Sequence, residues 1–388
     1  MTKPEPRAFL VPSGYNFRAV LAFCRALRAV GQRPAIIACT EADPVFKTDF
    51  ADDVVFTRPS HTLKLDEFIV ASQAAGARAG VMRTVLAPAS EFLVRWALRN
   101  RAALATAGCD LPLPSEEIYL RVTEKGRFTE FCRDLGLPVP AELPEPVLPC
   151  VAKPKENLSI EGRSLYPWLL REPADVARFR AANWAADFFF QEWVSGRSFY
   201  LLLHVPQSGL VTAYSQENLA QQAGGKSVVF ARAAKLHEMP VATQWTQVLQ
   251  AAGFFGLVMI ELRQRGSDYV LIEANPRLWG PLQLCVDGCP ALVRNYIAEH
   301  TRRPTPMKTE PAAGGVPHYV WRGGLAAATA PDWHEGAPRF RRLSLWRHVF
   351  SDVYLRPDSW HYFLAENSPA ATTAPMRSPG KVAMPAAL

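Results

Sequence analysis

The sequence lacks the signatures of several common enzyme classes. Its 388 residues contain no Cys-x-x-Cys pair, no His-Glu-x-x-His motif, no Gly-x-Ser-x-Gly elbow and no Gly-x-x-x-x-Gly-Lys-Ser/Thr loop. These absences argue against a thiol redox site, a zinc peptidase, a serine hydrolase and a P-loop nucleotide site. The strand predicted at 8–12 is followed by the single Gly14, which argues against the glycine-rich turn of a dinucleotide-binding domain.

Cysteine and long apolar runs are also scarce. The seven cysteines are dispersed, and only Cys285 and Cys289 lie within one helical turn of each other, with no histidine nearby. We predict that the thiols are small buried apolar groups in a reducing compartment. No apolar run reaches membrane-spanning length, and the four apolar residues at 8–11 are too few for a signal peptide. We therefore expect a cytoplasmic protein with no membrane partner.

The charge is moderately positive but has no pattern typical of nucleic-acid binding. Lysine and arginine number 43 and acidic residues 36, and only residues 339–342 form a basic cluster. Because a nucleic-acid-binding protein usually concentrates its charge in a stripe, we expect no nucleic-acid partner. A pocket for anionic small molecules explains the excess equally well. Nothing in the composition argues against a homodimer.

Strand and helix patterns alternate along the first part of the chain. Short apolar runs at 8–12, 34–39, 54–56 and 81–86 are separated by helical patterns. This alternation predicts an α/β domain with a parallel sheet. We place the N-terminal domain at 1–110, a central core at 111–304, a C-terminal extension at 305–366 and a mobile tail at 367–388. We predict Thr123 as the cap of a helix, and we predict that Gly224, Gly225 and Lys226, which follow the polar segment 216–222, lie in a loop.

The chemistry is concentrated in one predicted hairpin. Glu261 ends the apolar run from Gly256, and Glu273 ends a second run that continues through Asn275 to Arg277. We predict strands at 256–262 and 269–273 joined by a turn at 263–268. Alternation along an extended chain puts Glu273, Asn275 and Arg277 on one face. Buried carboxylates need a partner, and a magnesium ion coordinated by carboxylate and amide oxygens would supply it. Two edge-strand glutamates, one of them paired with Arg277, would produce the same pattern.

This hairpin resembles the metal-binding hairpin of ATP-grasp enzymes, in which an acidic residue on one strand precedes Glu-x-Asn-x-Arg on the next. Three upstream segments fall in the matching order: Thr123–Lys125, Val151–Pro154 and Gln191–Gly196. The resemblance covers about residues 110–300. It implies an α/β N-terminal domain followed by an α+β ATP-grasp core, whose two α+β subdomains clasp ATP, with the lid subdomain at about 125–194.

The resemblance also implies a role for each matched residue. Lys125 and Lys153 would bind phosphate oxygens. Glu261, Glu273 and Asn275 would hold Mg²⁺, which Mn²⁺ can replace, and Arg277 with Asn275 would be the catalytic pair, with Arg277 near the attacking carboxylate. The segment that would receive adenine comprises Gln191, Glu192, Trp193 and Val194, with main-chain groups of Glu192 and Val194 as its hydrogen-bonding partners. Each lysine is equally compatible with an ordinary surface position.

Two features depart from the family pattern. The lid loop of many relatives is glycine-rich, whereas the corresponding residues 156–164 contain only Gly162. The segment after the hinge is Gly196-Arg197-Ser198, where relatives place an acid at the third position. These departures leave open how the lid closes and what contacts the ribose.

The resemblance implies an ATP-dependent carboxylate–amine ligase. ATP would phosphorylate a carboxylate, and an amine would displace phosphate from the acyl phosphate to form an amide or peptide bond. Three alternatives stay open: a carbamoyl-phosphate-like carboxylating enzyme, a small-molecule kinase, and a nucleotide-binding module without catalysis. The two substrates are not identified by the sequence.

Overall fold

A computed structural model describes residues 5–155, 165, 167–182, 185–302, 316–325, 331–334 and 346–367. Three β-sheets organise these residues. The predicted lid loop at 156–164 lies outside the described residues, as does the predicted tail beyond Asn367. The strands are β1 Arg7–Pro12, β2 Ala35–Ala38, β3 Val54–Thr57, β4 Arg83–Leu86, β5 Cys109–Asp110, β6 Glu142–Leu143, β7 Cys150–Pro154, β8 Trp168–Leu170, β9 Phe188–Glu192, β10 Ser198–Val205, β11 Thr212–Gln221, β12 Val228–Ala233, β13 Gly256–Arg265, β14 Asp268–Asn275, β15 His318–Val320 and β16 Asp332–Trp333.

The helices connect and cover these sheets. Helical periodicity in the sequence anticipates most of them, although the helix expected at 91–105 is divided at Asn100. The helices are α1 Phe17–Ala29, α2 Leu65–Ala79, α3 Glu91–Arg99, α4 Arg101–Thr106, α5 Glu116–Thr123, α6 Lys125–Asp134, α7 Pro173–Arg180, α8 Pro240–Ala251, α9 Leu282–Gly288, α10 Pro290–Thr301, α11 Arg322–Leu325 and α12 Trp360–Glu366.

The first sheet is parallel, as the alternating sequence predicts. Its strand order is β3-β2-β1-β4-β5, with β1 in the middle and paired in parallel with β2 and β4. Phe9, Leu10 and Val11 of β1 are almost completely buried. A run without polar alternation is typical of a strand covered on both faces.

The second sheet is small and antiparallel, with the order β6-β9-β7-β8. Its core consists of few side chains, chiefly Cys150, Ala152, Leu170, Phe179 and Phe188. Three phenylalanine or tryptophan rings surround Phe179 at centroid distances between 5.3 and 5.8 Å. This sheet carries Lys153 on β7 and Gln191 on β9.

The third sheet is the largest and has the order β14-β13-β10-β11-β12-β15, with β16 added beside β11. Both of its faces are buried: Leu202 belongs to one apolar cluster, and Leu201 and Leu203 belong to the other. The predicted hairpin is confirmed, with antiparallel strands that are longer than expected. The loop predicted at Gly224, Gly225 and Lys226 is confirmed, because these residues connect β11 to β12, whereas Gln216 and Glu217 before it lie inside β11 and are buried.

The helix that begins at Lys125 packs under the third sheet. Thr123 was predicted to cap this helix, but that prediction is wrong: Thr123 ends α5, and Glu124 occupies the cap position. Phe128 of α6 lies 6.2 Å from the Trp245 ring of α8. Hydrophobic packing therefore fixes Lys125 relative to the large sheet, not the small one.

Residues near the C-terminal end of the described chain contact helix α1. Arg25 of α1 donates hydrogen bonds to the Asp358 carboxylate, the shortest at 2.7 Å, and to Ser359 Oγ. Arg18 donates to the Tyr319 hydroxyl at 3.1 Å. In the ranges that the structure describes, no helix is long and apolar enough to cross a membrane.

Candidate active site

Two carboxylates face each other across the hairpin. Glu261 on β13 is the direct partner of Glu273 on β14, and Tyr200 on β10 is the partner of Glu261 on its other side. Residues opposite one another in a sheet project from the same face, so this row is polar. Burial raises the pKa of Glu261 to about 7; Arg263 opposes that rise and the charge of Glu273 adds to it. Burial also raises the pKa of Tyr200 well above its usual value.

Glu273 begins a chain of hydrogen bonds that ends at Arg277. Asn275 Nδ2 donates to Glu273 Oε1 at 2.7 Å, and Arg277 Nη2 donates to Asn275 Oδ1 at 2.9 Å. The three residues predicted to share a face are therefore brought together. In this arrangement the Asn275 oxygen points to Arg277, so the amide must rotate to offer that oxygen to a cation.

The loop after Arg277 is held by the first sheet. Leu278 N donates to Pro88 O at 2.7 Å, and Asn16 Nδ2 donates to Leu278 O at 3.1 Å. Arg277 Nη1 donates to Leu278 O at 3.2 Å. Asn16 adopts a left-handed backbone with φ of 50°. Such a conformation is uncommon outside glycine, although asparagine tolerates it better than most residues.

The two predicted lysines approach the carboxylates from different directions. Lys153 Nζ donates to Ile272 O at 3.2 Å, beside Glu273. Burial lowers the pKa of Lys153 to about 8, against the raising effect of Glu273. Lys125 lies at the first turn of α6. Burial lowers its pKa, although the charge of Glu273 partly opposes that shift. Both ammonium groups therefore belong to the electrostatic environment of the hairpin.

Some hydrogen-bonding groups of the predicted adenine segment, residues 191–194, already have partners within the protein. Glu192 N donates to Ala141 O at 2.9 Å, and Glu192 Oε1 accepts from Ala141 N and from Arg265. The Glu192 N–H and one oxygen of its carboxylate thus already have protein partners. Trp193 and Val194 lie beyond the end of β9, and no hydrogen bond described for this region uses the Val194 N–H. The side chain of Gln191 is buried.

Sequence reasoning missed several residues of the site. Arg263 was assigned to the turn, but it lies on β13 with its Nη2 3.7 Å from Glu261 Oε1. Its Nη1 is 2.8 Å from His334 Nδ1, and burial, with Arg263 adding to it, lowers the pKa of His334 to about 3. Strand alternation from Glu261 identifies Arg263, whereas Tyr200 becomes apparent only from strand pairing.

The residues present fit a divalent cation. Two opposed carboxylates are half-buried, and burial raises the pKa of Glu261 with the charge of Glu273 adding to that rise, so a compensating positive charge would favour their joint ionisation. Oxygen ligands of this kind suit Mg²⁺. Among the described residues no group of three or more His, Cys, Asp or Glu side chains is placed to hold a metal ion, so substrate oxygens would have to complete the coordination.

A scan against protein-family models and a search of curated proteins found no match. Solved structures, in contrast, resemble the chain over most of its length. A biotin carboxylase from Campylobacter jejuni, in complex with β,γ-ATP, gives a TM-score of 0.59 at 14% identity, covering 81% of this chain and 75% of that one. The chain has the ATP-grasp fold.

Two further ATP-grasp structures agree. The biotin carboxylase domain of a Hydrogenobacter thermophilus 2-oxoglutarate carboxylase, with MgADP and bicarbonate, gives a TM-score of 0.56 at 12% identity, covering 79% of this chain and 72% of that one. An N5-carboxyaminoimidazole ribonucleotide synthetase from Thermotoga maritima gives 0.54 at 13% identity, with 77% of each chain covered. The predicted resemblance is confirmed at the level of the fold, and identities this low carry no information about the substrate.

Proposed function

We propose that the protein is an ATP-dependent carboxylate–amine ligase that forms an amide or peptide bond through an acyl phosphate. One observation carries the proposal: Glu261 and Glu273 oppose each other on the hairpin, and Asn275 links Glu273 to Arg277. Lys153 reaches the same edge from the small sheet. A site that combines paired carboxylates, an arginine and two half-buried lysines suits the transfer of a phosphoryl group.

The proposed roles follow from charge and position. Lys125 and Lys153 bind phosphate oxygens of ATP, as compact cations do. Glu261 and Glu273, with a rotated Asn275, hold Mg²⁺, which supplies a charge that offsets the phosphate oxygens. Gln191, Glu192, Trp193 and Val194 border the adenine, with Val194 N–H as donor. The cofactors are ATP and Mg²⁺, or Mn²⁺ in its place. We also propose domain boundaries at 110 and 304 and a lid subdomain at 125–194.

The bond changes balance without a covalent enzyme intermediate. A carboxylate oxygen of the first substrate attacks the γ-phosphorus of ATP, and ADP leaves. The amine nitrogen of the second substrate attacks the acyl carbon, inorganic phosphate leaves, and the nitrogen loses a proton. Arg277 is the group that stabilises the negative oxygen of the tetrahedral intermediate. Its Nη1 and Nη2 donate to Leu278 O and Asn275 Oδ1, and the bond to Leu278 O keeps Arg277 in place when Asn275 rotates toward the cation.

A second candidate, a carboxylating enzyme, is favoured by a specific observation. The similar structures include biotin carboxylases, and one of them contains bicarbonate. In that case bicarbonate takes the place of the first carboxylate. The same structure is described as a dimer, and we extend the homodimer to this chain as part of the proposal.

One assay tests the ligase proposal. The full-length protein is incubated with Mg²⁺ and ATP, with pools of carboxylates and amines or with bicarbonate, and nucleotides and phosphate are quantified. Release of ADP and phosphate that requires both a carboxylate and an amine supports the ligase. Release that requires bicarbonate supports the second candidate, and ADP formed without an amine, with a phosphorylated product, indicates a kinase.

Two outcomes contradict both candidates. Formation of AMP and pyrophosphate excludes an acyl phosphate. Binding of ATP without turnover in any pool indicates a nucleotide-binding module. The Glu273→Gln variant serves as the catalytic blank in every arm, because it keeps the size of the side chain and removes its charge.

A further inference from the structure

A second polar cavity lies away from the hairpin. It has a volume of about 370 Å³ and separates the first sheet from the last turn of α10. This size is within the range of small-molecule sites, which start at roughly 300 Å³. Its charged and polar lining includes Arg7, Arg101, Asp110, Glu299, His300 and Arg302.

The cavity is remote from Glu261. Arg7 is the first residue of β1, whereas the contact between Asn16 and Leu278 lies beyond the last residue of that strand. His204, which contacts Glu299, is four positions from Tyr200 on β10, or about 13 Å at the usual rise per residue. The cavity therefore lies at the opposite edge of the first sheet from the proposed catalytic residues.

The carboxylates of the lining are already paired. Asp110 lies 2.5 Å from Arg83 Nη2 and 3.2 Å from Arg7 Nε. Glu299 accepts a hydrogen bond from Gln207 N at 2.8 Å and contacts His204 Nε2 at 2.8 Å. Neither carboxylate is therefore left to neutralise the remaining cations.

Two guanidinium groups of the lining have no carboxylate partner in the described ranges. Arg101 Nη2 donates only to main-chain oxygens, those of Leu113 at 3.0 Å and Pro114 at 2.5 Å. The Arg302 guanidinium makes no hydrogen bond or ion pair with any residue that the structure describes, and its charge lowers the pKa of Arg7. The cavity thus has an excess of positive charge.

A buried histidine adds a polar group to the same wall. His300 is 7% exposed, and its Nε2 is buried without a hydrogen-bond partner among the described residues. Burial lowers the pKa of His300 to about 4, so the ring is neutral near pH 7 and one ring nitrogen can donate while the other accepts. That nitrogen lies 3.9 Å from Glu299 Oε2, beyond hydrogen-bond distance, so His300 is a buried, neutral polar group in the cavity wall.

We propose that this cavity binds a small organic anion carrying a phosphate or carboxylate group, contacted by Arg302, Arg101 and Arg7 with His300 as a neutral partner. Arginine binds such groups through paired N–H donors. Because Arg7 and Arg302 belong to the first sheet and to the end of α10, the ligand would connect these two elements. The proposal does not depend on the ligase reaction.

Calorimetric titration of the full-length protein tests the proposal. Inorganic phosphate and citrate are titrated separately at constant ionic strength, with sodium chloride as the reference. The two anions distinguish a phosphate from a carboxylate ligand. The main variant is Arg302→Gln, because that side chain makes no described contact whose loss would disturb folding. Arg99→Gln on the exposed surface of α3 is the matched control.

We expect at least one anion to bind the wild-type protein, and we expect Arg302→Gln to weaken that binding at least tenfold. Arg99→Gln should retain the binding. Lys153→Gln should retain it too, because Lys153→Gln removes a phosphate contact only at the proposed ATP site and not in this cavity. Binding that survives in Arg302→Gln and disappears in Lys153→Gln overturns the proposal. So does the absence of binding by either anion. Neither outcome affects the ligase proposal, which the turnover assay judges separately.

Discussion

The two sheets that carry the proposed ATP site differ in how firmly they hold their functional residues. Glu261 and Glu273 lie in a large sheet covered on both faces by extensive apolar clusters. Lys153 lies in a four-stranded sheet whose core has only six buried side chains in the described ranges. Segments with fewer buried apolar contacts open at lower free energy. We therefore expect the carboxylates to lie on the part of the site that resists local unfolding, and Lys153 to lie on the part that unfolds at lower free energy.

The largest expected effect on turnover comes from a substitution in the large sheet. Glu273→Gln removes one of two opposed carboxylates, and we expect turnover to fall by about 10³-fold or more, because a metal ion supplies several kcal/mol of charge stabilisation. The measurement is ADP release under saturating ATP, with circular dichroism to verify the fold. Glu238→Gln, an exposed position, is the control. Full activity in Glu273→Gln would refute the metal assignment.

Truncation of each core compares the two sheets directly. Ile260→Ala in β13 and Leu170→Ala in β8 each remove a completely buried side chain, at a cost of about 2–5 kcal/mol. We expect Ile260→Ala to lower the midpoint of global unfolding. Leu170→Ala should mainly speed amide hydrogen exchange in β7 to β9 while protection in β13 and β14 stays unchanged. Equal loss of protection in both sheets by Leu170→Ala would show that they unfold as one unit.

The nucleotide-binding contribution of the small sheet can be isolated with neighbouring lysines. Lys153→Met should weaken ADP binding by about tenfold or more, since an ion pair with phosphate is lost, and one factor of ten corresponds to about 1.4 kcal/mol. Lys155→Met is the matched control, because Lys155 is exposed and donates to Ala186 O. Fluorescence titration with a labelled ADP gives both affinities. Equal weakening in the two variants would contradict a specific role for Lys153.

The smallest expected effect is a dependence of nucleotide affinity on pH. The pKa of Lys153 is lowered to about 8, so its ammonium form predominates below that pH and is lost above it. Because phosphate binds the charged form, affinity should fall several-fold between pH 7 and pH 9. Lys153→Arg keeps the charge throughout this range and should flatten the profile. An unchanged slope in Lys153→Arg would place the titrating group elsewhere.

The sequence predicted the parts of the site that depend on local order. The hairpin, with Glu261 and Glu273 on facing strands and Asn275 beside Arg277, follows from alternation within one short segment. Arg263 was missed because polar residues near a turn resemble the turn itself. Tyr200 was missed because its place beside Glu261 depends on pairing between β10 and β13, which are far apart in the chain, and alternation alone does not specify that pairing.

The electrostatic environment was also beyond prediction from local patterns. The contacts of the Glu192 Oε1 and N–H with Arg265 and Ala141, which come from two other segments, are one example that no local pattern shows. The cap at Glu124 and the short helix before it were missed for a simpler reason. A strong N-cap residue at 123 outweighed Glu124 in the sequence pattern, and tertiary contacts decided the boundary.

The hydrogen bond from Asn16 to Leu278 joins residues 262 positions apart. Closing so long a stretch of chain has an entropic cost, and this bond forms only when the two ends of that stretch have come together. Arg277 lies in the loop that the bond holds. The position of the proposed catalytic arginine therefore depends on a residue near the start of the chain, and a substitution at Asn16 would reach the site without touching any of its charged groups.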